Sequence, residues 1–151
     1  MREQKKRNPE AGITLLEILV VLTIIGLISG LVIFNVGPIL QNARIDQAKT
    51  NVKNIEGALE NYNLALLSYP TEQQGLEALI EAPTDLLDER RYPVGGFIRE
   101  LPEDPWGRPY QYVFPAERSR APFDIFSFGR DGQEGGEGPD ADIGNWDEDD
   151  E

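Results

Sequence analysis

The stretch GITLLEILVVLTIIGLISGLVIF, Gly12 to Phe34, decides the architecture, because the rest of the chain has nothing that could bury it. Between Gly12 and Arg44 the only charged residue is Glu17. An α-helix rises ~1.5 Å per residue, so the apolar run from Ile13 reaches about the ~30 Å of a bilayer's hydrocarbon core. A helix on the surface of a soluble domain is apolar along one stripe. This one is apolar all round, which predicts a membrane-spanning segment. A carboxylate inside such a segment costs on the order of 2.5 to 3.5 kcal/mol on insertion scales and marks a functional position. Glu17 therefore either takes a partner of opposite charge or lies at headgroup level, favoured by the positive end of the helix dipole.

The sequence just before the run, RNPEAGITLLE, narrows the choice. Arg2, Lys5, Lys6 and Arg7 form a basic head, Gly12 sits immediately before the apolar residues, and Glu17 is the fifth residue after it. This pattern resembles the type IV pilin-like class, whose short basic leader is cut after Gly by a prepilin peptidase. An ordinary secretory signal carries its cleavage site after the apolar region and loses that region. A cut after Gly12 retains the helix as an anchor and leaves Ile13 as the new N-terminus, where members of the class usually have Phe. The excess of Lys and Arg before the span places the leader in the cytoplasm and everything after Phe34 across the membrane.

With one anchor, 151 residues leave room for a single small domain outside the membrane. A domain of that size often needs a staple, and the absence of Cys excludes a disulfide, which leaves a metal as the other common device. The formal charge is −13, and after Arg130 there is no Lys or Arg while ten acidic residues follow. Such a surface repels phosphate backbones, so no nucleic acid is expected as a partner, and hard cations are the natural ones. Without His or Cys the chain lacks the commonest general base and the thiol nucleophile, so it reads as no enzyme.

Beyond Phe34, Ile45, Ala48, Val52, Ile55, Leu59, Tyr62 and Leu66 recur at steps of three and four, the signature of an amphipathic helix that continues the apolar one as a single rod. Gly37-Pro38 is expected to interrupt the rod, as a kink or as a segment that unwinds when subunits pack. Ser68-Tyr69-Pro70 ends it, and TEQQGLEALIEAP predicts a second, short helix opened by Thr71 and closed before Pro83. Frequent Pro and Gly then cut the chain into pieces suited to small strands, placed at 97–99, 110–114 and 123–127. Trp106 reads as a core or turn anchor.

The blocks YPTEQQGLEALIEAP, RRYPVGGFIRELPEDPWGRPYQY, DIFSFGRDG and DIGNW, in that order behind the leader, resemble the major pseudopilins of type II secretion systems, the general secretion pathway protein G family. The resemblance implies an α+β, type IV pilin-like fold: a long N-terminal helix packed on a small antiparallel sheet, with a C-terminal calcium loop. It implies a leader at 1–12, a transmembrane and assembly helix at 13–36, a periplasmic domain at 37–146 and an acidic tail at 147–151. The implied function is a structural subunit that polymerises into a periplasmic pseudopilus, helping to drive folded proteins across the outer membrane. The implied partners are further copies of itself, minor pseudopilins, the inner-membrane secretion platform and the prepilin peptidase. The alternatives are a type IV pilin of a surface fibre and a membrane-anchored calcium-binding module that does not polymerise. The first usually carries paired C-terminal Cys, and the second has no use for Glu17.

The segment FSFGRDGQEGGEGPDADIGNW offers carboxylates on a Gly-rich backbone, which suits either Ca²⁺, with its six to eight oxygen ligands, or a solvated acidic loop. The resemblance selects Ca²⁺. It implies Asp131 as a ligand matched directly, Asp142 by register, Asp140 by a different backbone path, and the carbonyls of Phe128 and Gln133. Family members often have adjacent Asp-Asp here, in place of Asp140-Ala141-Asp142.

Overall fold

The computed structural model describes residues 14–86 and 88–148, without the side chains of 31–36 and 147–148. The leader, the expected cut between Gly12 and Ile13, and the last three residues of the acidic tail lie outside the described residues. Helix α1, Leu15–Leu66, begins at a threonine cap: the Glu17 amide donates to Thr14 Oγ1 (3.2 Å) and the Ile18 amide to the Thr14 carbonyl (3.3 Å). The first bond satisfies an amide that has no partner inside the helix, and the second opens the helical ladder. Pro38 lies inside α1, so the expected interruption at Gly37-Pro38 is not a break in the helix. Proline removes one amide donor, but its fixed φ near −65° is itself helical.

Contacts divide the chain into a unit ending at Ile39 and a second from Leu40 onward. In the first, the described aliphatic side chains from Leu15 to Ile28 are exposed, from Leu15 at 86% to Val20 at 47%. Among the described residues no helix is long and apolar enough to cross a membrane. The apolar run of the sequence extends past both ends of the stretch whose side chains are described.

In the second unit, the part of α1 from Leu40 supplies the core stripe. Ala48, Val52, Ile55, Leu59 and Tyr62 are buried, Ile45 is half-buried, and Leu66 packs against the cluster. They meet Tyr110, Phe123 and Ile125 from the sheet side. α1 ends where Leu67 takes a left-handed conformation (φ 62°) and donates its amide to the Asn63 carbonyl (2.8 Å).

The sheet has three antiparallel strands in the order β1 (Gln111–Val113), β2 (Asp124–Ser127), β3 (Ile143–Gly144). Tyr112 faces Ile125 across the first pair, and Phe126 and Ser127 face Gly144 and Ile143 across the second. The central strand β2 is buried along its whole length. Two of the three expected strands form, shortened at their ends. The third expected strand, at 97–99, does not: the amides of Phe97 and Ile98 both converge on the Leu79 carbonyl (2.8 and 3.2 Å). One acceptor for two successive amides is a turn's arrangement. Phe97 packs instead between Tyr62 and Tyr92, with ring centroids 5.2 Å from each. The expected helix after Thr71 shrinks to a turn and a 3₁₀ helix, Leu76–Leu79. Thr71 and Gln74 do form the reciprocal cap, Thr71 amide to Gln74 Oε1 (2.9 Å) and Gln74 amide to Thr71 Oγ1 (3.2 Å), but Gly75 at φ 61° then breaks the winding.

Candidate functional site

Two places carry the residues expected to be functional. At the start of α1, Glu17 is exposed and stands at the third helical position after the Thr14 cap. Thr14 and Glu17 have the spacing of a capping box, and an acidic side chain there favours the helix dipole. Its amide, not its carboxylate, is the group bound to Thr14.

The second place is the loop 128–142, which joins β2 to β3 and whose ends are tied by the Ser127 and Ile143 pair. Asp131 is exposed and accepts the Gln133 amide at Oδ1 (3.0 Å), a tight turn that includes Gln133, one of the two residues expected to offer carbonyls, while the other, Phe128, precedes it. Asp140 is held by Arg130 through two bonds, Nε to Oδ1 (2.7 Å) and Nη2 to Oδ2 (2.8 Å). That pairing keeps the Asp140 carboxyl below the ordinary range. The Asp142 side chain is 7% exposed; its Oδ2 accepts from Arg118 Nη1 (2.8 Å) and the Gly135 amide (3.1 Å), while its Oδ1 is buried without a partner. Among the described residues no group of three or more acidic side chains is gathered to hold a metal. The three aspartates thus sit on one loop but are spoken for separately.

The loop is also gripped from below. In the turn DPWGR, Asp104 accepts the amides of Trp106 (3.0 Å) and Arg108 (2.8 Å) on one oxygen and the Ser127 hydroxyl on the other (2.6 Å). The Asp104 carboxylate anchors this turn, and the Trp106 indole Nε1 is buried without a partner. Arg108 reaches from that turn to the carbonyls of Gly129 and Arg130. At Gly132 the left-handed backbone (φ 71°) favours glycine, and a Cβ there would displace the Arg108 guanidinium.

With the fold and loop in view, residues 35–146 match the family model described as Type II secretion system (T2SS), protein G. The chain belongs to the type II secretion system protein G family. Residues 7–33 match the Prokaryotic N-terminal methylation motif. Similar proteins named Type II secretion system core protein G occur in Pseudomonas aeruginosa, 44% identical over 94% of this chain and 99% of the relative, and in Vibrio cholerae, 45% identical over 94% and 95%. A solved structure of the major pseudopilin from the type 2 secretion system of enterohaemorrhagic Escherichia coli has a TM-score of 0.60 at 40% identity, covering 70% of this chain and 89% of that one. The protein is a structural subunit of a type II secretion pseudopilus. Family and motif together point to a membrane-anchored periplasmic subunit.

Within this family's frame, the residues that sequence reasoning missed are basic. Arg118 bonds both Asp142 and Glu134 and lies over the rings of Phe126 and Trp146, its Cζ 5.1 Å from each centroid. Its hydrogen bond to Asp142, foremost, pushes its pKa up. The available signal was charge balance: an acidic segment with no Lys or Arg of its own after Arg130 must find its counter-ions upstream.

Proposed function

We propose that this subunit is cut between Gly12 and Ile13, is anchored in the bacterial inner membrane by residues 13–36 in a single pass, and polymerises with copies of itself in the periplasm. Minor pseudopilins, the inner-membrane platform and the prepilin peptidase are its partners, and its role is structural, without catalysis. The observation that carries this reading is the sleeve of exposed aliphatic side chains from Leu15 to Ile28, interrupted only by Glu17 as a charge. Lipid or neighbouring helices of the same kind are the surroundings that suit such a sleeve. Glu17 then pairs with the new N-terminal amine of a neighbouring subunit. Both charges are neutralised in apolar surroundings, where an unpaired one is costly. Electron microscopy of the overproduced protein tests this: filaments from wild type and none from Glu17→Gln, at equal membrane amounts, are expected. Normal filaments from Glu17→Gln would remove the pairing, and an intact mass that starts anywhere other than Ile13 would remove the cut.

The same reading includes Ca²⁺ in the loop 128–142. Supporting it are the buried, unpartnered Oδ1 of Asp142, an oxygen of the kind hard cations take, and the exposed carboxylate of Asp131 on the same loop. Asp131 and Asp142 would hold the ion with the carbonyls of Phe128 and Gln133, and Asp140 would join only by leaving Arg130. Bound Ca²⁺ supplies positive charge and a fixed geometry to a domain without disulfides. Ca²⁺ at a hundredfold above its dissociation constant should stabilise the protein by ~2.7 kcal/mol, and Asp131→Ala should lose most of that. No difference between Ca²⁺ and chelator in the wild-type melt would remove the ion.

A further inference from the structure

The loop 128–142 contains Asp131, Glu134, Glu137, Asp140 and Asp142, and a loop so charged resists closing unless a cation joins its strands of negative charge. We propose that Arg118 is a built-in cation for the loop, beside Arg130 on Asp140: its guanidinium, seated over Phe126 and Trp146 and bonded to Asp142 and Glu134, ties the middle of the acidic loop to its end without a metal. The inference deepens the Ca²⁺ reading and rests on it only for the identity of the ion whose task Arg118 shares.

Three observations carry it. First, Arg118 is placed before it reaches the loop. The amides of Glu117, Arg118 and Ser119 all donate to the buried carboxylate of Asp124 (2.7, 2.8 and 2.8 Å), which pins the turn to strand β2. Second, its planar head lies over two aromatic rings, and those rings belong to the strand at one end of the loop and the segment just past its other end. Phe126 and Trp146 are themselves in contact, with centroids 5.4 Å apart. Third, the fork of the guanidinium addresses two acids eight residues apart in the chain, so a single side chain draws the middle of the loop, Glu134, toward its end, Asp142. An ammonium lacks that planar two-acid reach. Arg130 ties Asp140 and Arg108 the carbonyls of Gly129 and Arg130, so joining Glu134 to Asp142 in the absence of metal is the part that falls to Arg118, and the Oδ1 of Asp142 has no donor while Oδ2 is held.

The test uses the full-length processed protein in detergent, stripped of metal by chelator, and follows cleavage after Glu134 and Glu137 by a glutamate-specific protease. Wild type should be cut slowly in chelator, Arg118→Met at least tenfold faster, and Arg118→Lys severalfold faster. The far-ultraviolet signal of α1 checks that the core persists. Equal protection of Arg118→Met and wild type in chelator, or a wild-type loop already open there, overturns the proposal. Should Arg118→Met lose its core, Arg118→Lys decides: cleavage no faster than wild type overturns, and faster cleavage upholds. Adding CaCl₂ separates the two readings. Protection of Arg118→Met regained with Ca²⁺ upholds both, and none regained removes the Ca²⁺ reading while the difference in chelator still upholds Arg118.

Discussion

The hydroxyl of Ser127 donates to Asp104 Oδ2 at 2.6 Å, joining the last residue of β2 to the turn that carries Arg108. The bond is buried at both ends and lies directly beneath the loop 128–142. Ser127→Ala leaves one oxygen of a buried carboxylate short of its donor and should lower stability by about 1 to 2 kcal/mol, a fall of several degrees in the thermal midpoint. The Gly129 amide, which bonds the same hydroxyl at 3.2 Å, should exchange faster in that variant. Hydrogen exchange measured by mass spectrometry reads both ends of the loop at once.

Asp124 is 1% exposed and accepts three backbone amides. Burial alone pushes its carboxyl up, but the bonds from Ser119, Glu117 and Arg118 outweigh burial and hold it below 3.8. A depressed folded value means that the unfolded chain takes up the proton first. The contribution is present above about pH 4 and is lost as pH falls through the lower folded value. Asp124→Asn should cost about 3 kcal/mol at neutral pH and flatten the acid limb of the stability curve below pH 4. Urea melts at pH 3, 4 and 7 check the sign.

At the alkaline end the sign reverses. Burial pushes Tyr110 up from the ordinary 10.0 to about 12, against a hydrogen bond with Asn51 that lowers it. The neutral phenol is favoured in the fold, so its contribution is complete below pH 10 and is lost as pH rises from there through about 12. Tyr110→Phe should retain the packing, lose the weak bond to the Ala48 carbonyl, and show a shallower decline of the melting temperature over that window. Absorbance titration at 295 nm should find Tyr110 among the last phenols to ionise.

Leu67 ends α1 with φ at 62° while 74% exposed. A left-handed conformation costs a branched side chain roughly 1 to 2 kcal/mol, against about 0.5 to 1 kcal/mol of extra unfolded freedom for glycine. Leu67→Gly should therefore stabilise by about 0.5 to 1 kcal/mol, which differential scanning calorimetry resolves.

The long helix was legible because burial leaves a period in the sequence, with Ala48, Val52, Ile55, Leu59 and Tyr62 on one side of α1, and two strands were legible from their aromatic and β-branched content between Pro and Gly, although neither alternates in burial. Phe97 was misread since its aromatic, β-branched neighbourhood suits a strand, whereas its amide's partner, the Leu79 carbonyl, comes from a separate element. Strand β3, at Ile143–Gly144, is too short to leave any period. Glu17 and the acidic loop were legible as unusual charges. What the carboxylates hold was not, because Arg118 approaches Asp142 from 24 residues away in the chain and Arg130 approaches Asp140 from 10. Pairings of that range leave no local pattern.

The hydrogen-bonded pair of Ser127 and Ile143 closes the acidic loop at its base, and that closure has a consequence for the loop's length. Once the base is fixed by the sheet, the closure entropy grows only with the logarithm of the number of residues, about 0.6 kcal/mol for each doubling. Glu137 stands exposed between the bond of Arg118 to Glu134 and that of Arg130 to Asp140. Residues inserted beside it would hang outward from a hairpin already locked beneath them, a place where the subunit can carry a foreign epitope and still fold.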